Sequence, residues 1–294
     1  MRLRLTFSAL LLIAALPLTA AAQTSTTWAE VDAALGRAGA AQGGEVMKYS
    51  FPRTDLTVVA DGVTLKPALA LGSWVAFKRI SASEVMAMGD LVLTEDEVAP
   101  VMRSLQAGGV EQTAVHNHVL HESPRVMYMH IGAHGDARQI ATAIRAALAT
   151  SKTPLGPATA AAPASAADLD TAGIAKALGY SGKLNGVVYQ VSVPRKERIE
   201  EMGHEIPPSM GVATAINFQP TGGGKAAITG DFVMLANEVN GVIRALQANG
   251  INPSALHSHM LNETPRLFFM HFWAQGDAVT LAKGLRKGLE QSAP

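Results

Sequence analysis

The sequence contains no cysteine. Disulfide bonds are therefore excluded, and so are iron–sulfur clusters and zinc sites built from thiolates. Any metal ion bound by this chain must be held by nitrogen and oxygen donors, with methionine as the only source of sulfur. The fold must be stabilised by buried apolar surface, and 294 residues are enough to form one or two cores.

An excess of charge of either sign is also missing. The chain has 24 basic and 24 acidic side chains, and 22 of the basic ones remain when Arg2 and Arg4 are set aside. A nucleic-acid-binding or membrane-surface protein usually carries a basic stripe, which this sequence lacks. We therefore expect no nucleic-acid partner.

Long apolar runs are scarce, and the one at the N-terminus is short. Arg2 and Arg4 precede an apolar run over residues 5–16, and three alanines follow at 20–22. About 20 apolar residues are needed to cross a bilayer as a helix. The pattern predicts a cleavable secretory signal over residues 1–22 and no membrane span, and hence a periplasmic or secreted protein.

The sequence contains an internal duplication. Residues 114–137, AVHNHVLHESPRVMYMHIGAHGDA, align with residues 255–278, ALHSHMLNETPRLFFMHFWAQGDA, at an offset of 141 with 13 of 24 positions identical. Shorter matches lie upstream: Gly89-Asp90 with Gly230-Asp231, and Pro52-Arg53 with Pro194-Arg195. Such self-similarity predicts two copies of one domain.

The two copies are separated by residues 150–167, which are rich in Ala, Pro, Ser and Thr. This composition predicts an extended linker between repeat domains at 24–149 and 168–294. In the second copy, strands are expected at 186–193, 211–218, 227–235, 255–261 and 266–273, with helices from Val239 to about Asn249 and from Asp277 onward.

From the third strand onward this order is β-α-β-β-α, which predicts an α+β fold. Each repeat is expected to be an antiparallel sheet with its helices on one face, as in ferredoxin-like domains. Alternation along the last two strands sends Leu256, Ser258 and Met260 to one face, and His257 and His259 to the other. Phe268, Met270 and Phe272 share a face, opposite to Leu267, Phe269 and His271.

The histidines form the main functional motif. His257, His259 and His271 are predicted on one face of adjacent strands, with Glu263 in the turn between them, and His116, His118, His130 and Glu122 repeat the pattern in the first copy. Three imidazoles and a carboxylate are suitable ligands for a divalent Zn, Mn, Fe, Ni or Cu ion. The alternative is that the histidines are inert, hydrogen-bonded sheet residues.

Other polar residues differ between the copies or flank the motif. His121 and His134 become Asn262 and Gln275 and are therefore expected on the rim of the site. His204 occurs only in the second copy and, with Glu263, is a candidate acid or base. Arg125 and Arg266 are expected to pair with Glu122 and Glu263, or to bind an anionic group of a small-molecule ligand.

The phrases LHSHMLNETPRLFFMHFWAQGDA and VHNHVLHESPRVMYMHIGAHGDA, with GDFVML and GDLVLT before them, resemble the LppY/LpqO family of exported bacterial proteins of unknown function. The resemblance covers nearly all of both copies and implies a location in the cell envelope. The mycobacterial namesakes of the family are lipoproteins, whereas this chain has no cysteine for lipid attachment.

A second resemblance is to cupins, whose first motif also runs His-x-His followed by Glu. His116, His118 and Glu122 have this spacing, as do the matching residues of the second copy. The second cupin motif is missing. A cupin-like β-barrel is therefore the alternative fold.

Three functions are compatible with these patterns. The first is a non-catalytic envelope module that binds a metal ion or small ligand through the clusters. The second is a metal-dependent enzyme of hydrolase or oxygenase type, with one working and one supporting site. The third is a structural protein. The duplication adds the hypothesis that the two repeats pack with their histidine faces together and share one site.

Overall fold

The computed structural model describes residues 27–157 and 168–292, which form two similar α+β repeats. The predicted signal peptide and residues 158–167 of the predicted linker lie outside these residues. Among the described helices, none has both the length and the apolar character needed to cross a membrane.

The first repeat contains three helices and nine strands among its described residues. In chain order they are α1 (Trp28–Leu35), β1 (Ala40–Gln42), β2 (Val46–Pro52), β3 (Val59–Ala60), β4 (Val63–Thr64), β5 (Gly72–Arg79), β6 (Val85–Thr94), α2 (Glu95–Ala107), β7 (Glu111–His116), β8 (Glu122–Ser123), β9 (Val126–Gly135) and α3 (Ala137–Leu148).

The second repeat follows the same order and adds one turn of 3₁₀ helix at Pro208–Met210. Its elements are α4 (Thr171–Leu178), β10 (Lys183–Asn185), β11 (Val188–Pro194), β12 (Glu200–Glu201), β13 (His204–Glu205), β14 (Ala213–Gly222), β15 (Lys225–Met234), α5 (Val239–Gln247), β16 (Asn252–His257), β17 (Glu263–Thr264), β18 (Phe268–Asp277) and α6 (Ala278–Leu289).

Each repeat is built on an open six-stranded antiparallel sheet. The strand orders are β1-β2-β5-β6-β9-β7 and β10-β11-β14-β15-β18-β16. The cupin-like barrel is therefore wrong, because the outer strands of each sheet do not pair with each other. The β-α-β-β-α order is present in β6, α2, β7, β9 and α3. In the sheet, however, β6 lies between β9 and β5, and β5 precedes this unit in the chain.

The helices cover one face of each sheet, as the amphipathic spacing predicts. In the first repeat, Ile140, Ile144 and Leu148 recur every four residues on α3 and pack against sheet residues such as Phe77 and Leu91. In the second repeat, Met270 and Phe272 enter the equivalent core beneath α5 and α6. The two cores supply the buried apolar surface that a chain without disulfides needs.

The opposite faces of the two sheets meet each other. Met86 and Met88 of the first repeat share a buried cluster with Leu267 and Phe269 of the second. Met260 lies in this layer together with His257 and His259, so its predicted position on the face opposite to these histidines is wrong. The error arises because β16 ends at His257 and does not continue to Leu261, so strand alternation stops before Met260.

The start of the predicted linker is attached to the first repeat. Arg37 Nη2 donates hydrogen bonds to the carbonyl oxygens of Pro154 and Gly156, at 3.1 and 2.7 Å. Arg145 Nη1 donates to the carbonyl oxygen of Leu155 at 2.9 Å. Residues 150–157 therefore pack on the domain that precedes them, which a composition rich in Thr, Ser and Pro did not indicate.

Candidate metal centre

Six histidines occupy the layer between the two sheets. They are His116, His118 and His130 of the first repeat and His257, His259 and His271 of the second, all buried or nearly so. Rings from different repeats stack in pairs: His116 on His257 with 3.6 Å between ring centroids, His118 on His271 at 3.6 Å, and His130 on His259 at 3.8 Å. The two predicted clusters therefore form one group of rings.

An approximate two-fold axis relates the two halves of this group. The ring centroids of His116 and His118 are 5.2 Å apart, and those of His257 and His259 are 5.1 Å apart. Aromatic rings close both ends, Tyr128 on His118 at 3.3 Å and its counterpart Phe269 on His259 at 3.5 Å. The duplicated sequence therefore forms its site as a homodimer would, from two copies of one surface.

Backbone carbonyls fix the orientation of several imidazoles. The Nδ1 atoms of His257, His259 and His271 lie 3.2, 3.0 and 2.7 Å from the carbonyl oxygens of Ser258, Gly211 and Gly230. His116 Nδ1 makes the same kind of contact, at 3.0 Å, with the carbonyl of Asn117. A carbonyl oxygen can only accept, so Nδ1 carries the proton and Nε2 presents a lone pair.

The Nε2 atoms are buried without hydrogen-bond partners. This holds for all six histidines of the group. Leaving a buried polar atom unpaired costs about 1–3 kcal/mol, so six together are exceptional. Inert sheet histidines would have both ring nitrogens satisfied.

The imidazoles are neutral at physiological pH. Burial lowers the pKa of His257 and of His259 to about 3 and that of His116 to about 4. Burial and the neighbouring rings lower the pKa of His118, His130 and His271 well below the ordinary value. The neutral form is the one that ligates metal ions.

Two aspartates complete the group, and the sequence reasoning assigned them no role. Asp90 on β6 lies opposite His130 in the sheet register, and Asp231 on β15 lies opposite His271. Burial is the main cause that raises the pKa of Asp90 to about 8 and that of Asp231 to about 6. The available signal was an acidic residue within an otherwise apolar strand, matched at the same offset in both copies.

The donor atoms come close enough to share an ion. Three sets have their ligand atoms within 4.8 Å of one another: His116, His118 and His271; His116, His130 and His257; and Asp231, His257 and His259. Asp231 Oδ2 lies 2.9 Å from His259 Nε2, and Asp231 Oδ1 lies 3.9 Å from His257 Nε2. Donors about 2.0–2.1 Å from a tetrahedral ion are roughly 3.3 Å apart, which these two distances bracket.

Glu122 and Glu263 lie outside these three sets. Glu263 Oε1 accepts a hydrogen bond from the backbone N–H of Leu267 at 2.9 Å, and Oε2 accepts from Arg266 Nη1 at 3.2 Å. Glu122 Oε1 accepts from the N–H of Val126 at 3.2 Å. Both carboxylates therefore stabilise, through these hydrogen bonds, the turn between the last two long strands of their repeat.

The two arginines are used differently. Arg266 forms the expected ion pair with Glu263 and also donates to the carbonyl of Leu261 at 3.0 Å. Arg125 is exposed and lies 3.7 Å from Glu95, with no hydrogen bond to Glu122 among those described.

The remaining histidines lie away from the ring group. His204 pairs with Glu201 in a small three-stranded sheet formed by β13, β12 and β17. It lies near His134 of the other repeat, whose pKa is lowered by burial and by His204. His121 and His134 are exposed, in keeping with a rim position.

The comparisons with known proteins identify the domain and no activity. No curated protein matches the chain. The trimeric bacterial microcompartment shell protein PduB shares 14% identity over 86% of this chain and 89% of its own, with a TM-score of 0.21. EtuB from Clostridium kluyveri shares 9% over 85% and 90%, with a TM-score of 0.19. Scores this low carry no argument about the fold.

A family model matches the chain twice, over residues 29–150 and 172–291. The two matches coincide with the two repeats and cover most of the chain. The LppY/LpqO name rests on the resemblance of the motifs alone. The chain belongs to the family described as Domain of Unknown Function (DUF1259), in two tandem copies.

Proposed function

We propose that this protein is an exported metal-binding protein whose ion lies between the two repeats and is held by Asp231, His257 and His259. The contact between Asp231 Oδ2 and His259 Nε2 carries the proposal. His259 Nδ1 is directed at the carbonyl of Gly211, which leaves a lone pair on Nε2, 2.9 Å from a carboxylate oxygen. Two lone pairs at this distance repel each other unless a positive charge lies between them.

The donor types support a transition-metal ion. Two imidazoles and one carboxylate match the ligand sets of non-haem iron(II) and of zinc sites. Manganese, nickel and copper accept the same donors. Export is supported by the signal-like pattern of residues 1–22.

Metal analysis of the mature protein, purified without an affinity tag, tests the proposal. We expect about one equivalent of a divalent metal in the wild type and its loss in the His257→Ala/His259→Ala variant, because two of three donors are removed. The matched control is His121→Ala/His134→Ala, which removes two exposed histidines outside the ring group and should retain the metal.

Negligible metal in the wild type, also after incubation with zinc, would contradict the proposal. A proton on Asp231 would then account for the short contact with His259. Equal metal content in all three proteins would place the ion elsewhere.

A further inference from the structure

The two halves of the ring group are alike in their histidines and differ in the charge beside them. In the first repeat, Lys48 on β2 lies on the sheet face that carries Asp90, with its Nζ 3.9 Å from the centre of the Trp74 ring. Trp74 is paired with Asp90 in the register of β5 and β6. At the equivalent sheet positions the second repeat has Gln190 and Ala215, so it has neither the cation nor the ring.

The carboxylates differ accordingly. Asp231 has two histidine nitrogens within 4 Å, those of His257 and His259. For its counterpart Asp90, the described contacts within 4 Å include one histidine, His118, at 3.5 Å. The set formed by Asp231, His257 and His259 is compact enough for one ion, whereas the matching set of the first repeat is not among the three compact groups.

We propose that Lys48 provides a fixed ammonium charge beside Asp90, so that of the two pseudo-equivalent carboxylate–histidine sets only the one around Asp231 takes a metal ion. This inference rests on the metal site proposed above. A divalent ion bound at Asp90 would lie near this ammonium, and the repulsion between the two positive charges in a buried layer disfavours having both.

The charges of Lys48 and Asp90 act on each other. Burial lowers the pKa of Lys48 to about 8, and the charge of Asp90 acts against that shift. Burial and the charge of Asp231 raise the pKa of Asp90 to about 8, and the charge of Lys48 acts against that rise. The ring of Trp74 holds the ammonium in place through a cation–π contact.

The test is the number of zinc ions bound by the full-length mature protein, measured by calorimetric titration and by metal analysis after removal of free zinc. We expect one equivalent in the wild type, two in Lys48→Gln, which places the second repeat's own residue type at this position, and one in the charge-retaining control Lys48→Arg. Adding Asp90→Asn to Lys48→Gln should return the count from two to one.

One equivalent in both the wild type and a folded Lys48→Gln variant would overturn the inference and leave the metal site intact. Two equivalents in the wild type would also overturn it. No equivalent in any of the proteins would instead refute the proposed metal site itself.

Discussion

Arg53 is a fully buried cation, and its hydrogen-bond partners are two acidic side chains and one backbone carbonyl. Its Nη1 donates to Glu97 Oε2 and to the carbonyl of Val92, both at 2.7 Å, and its Nε donates to Asp55 at 2.9 Å. Arg195 repeats this arrangement with Glu238. In each repeat, the arginine of the matched Pro-Arg pair therefore connects a long strand, β6 or β15, to the start of the helix that follows it.

Removing the charge of Glu97 should destabilise the first repeat. Burial acts to raise the pKa of Glu97, but hydrogen bonds from Arg53 and from the backbone of Lys152 and Thr94 outweigh it and lower the pKa. The stabilisation is therefore complete above about pH 4.3, the ordinary value for glutamate, and is lost as the pH falls through the folded-state pKa. We expect Glu97→Gln to cost about 3–5 kcal/mol at pH 7.

Urea unfolding of Glu97→Gln and of the wild type at pH 7 and at pH 4 measures this effect. The difference should shrink at the lower pH, where the wild type begins to lose the same interaction. Glu290→Gln, in an exposed pair with Arg286, is the control and should leave the unfolding midpoint unchanged. A difference that grows on acidification would contradict the assignment.

The shared face of the histidines could be predicted from the sequence, whereas their contacts with the aspartates could not. Alternation along a strand fixes which side chains share a face, so His257 and His271 were placed together correctly. Asp231 lies on β15, and its approach to His259 depends on how a bend after β16 returns the chain toward the sheet. Local patterns do not determine such a bend.

Strand β15 contains a glycine at a position with no room for a side chain. A Cβ atom at Gly230 would lie 1.9 Å from the carbonyl oxygen of Ala215 on β14. The carbonyl of Gly230 also accepts the hydrogen bond from His271 Nδ1. The Gly-Asp dipeptide thus brings two strands close together, orients a histidine and places a carboxylate beside it.

Gly230→Ala should therefore lower the free energy of unfolding by about 1–3 kcal/mol, the usual cost of overpacking a core. Thermal unfolding followed by circular dichroism measures the loss. Gly132→Ala on β9 is the matched strand control, because its added methyl group would meet only Thr113 at 3.8 Å. Equal stability of the two variants would show that the sheet adjusts at Gly230.

The elements themselves were largely predictable. Apolar spacing predicted α5 and α6 of the second repeat but not α4. The Asp277 carboxylate accepts from the N–H of Thr280 at 2.8 Å as the N-cap of α6. The order of strands in the sheet was not available, because it depends on long-range pairing that local patterns do not encode.

In the whole molecule, the two repeats are joined by polar contacts as well as by apolar packing. Thr113 Oγ1 donates to the carbonyl of His259 at 2.6 Å, and Trp273 Nε1 donates to Asp61 at 2.9 Å. The three proposed ligands belong to the second repeat, and rings of the first repeat stack on two of them, His257 and His259. Binding should therefore stabilise the folded arrangement of both repeats. Because the ion binds the folded chain and not the unfolded one, it should raise the free energy of unfolding.

Zinc at about 100 times its dissociation constant should add roughly 2.7 kcal/mol, or about 5–10 °C in Tm for a chain of this size. Differential scanning calorimetry with zinc and with a chelator measures the shift. The His257→Ala/His259→Ala variant should show no shift. An equal shift in both proteins would assign the effect to zinc bound outside the ring group.

The approximate two-fold axis through the stacked pair of His116 and His257 also affects how the centre can vary. In a symmetric dimer, a substitution near the axis appears on both sides at once, so the halves cannot differ. In this covalently joined chain a substitution appears only once. Two such one-sided differences are Tyr128, whose counterpart is Phe269, and Lys48, whose counterpart is Gln190. Joining the copies in one polypeptide allows one half of the centre to change without the other.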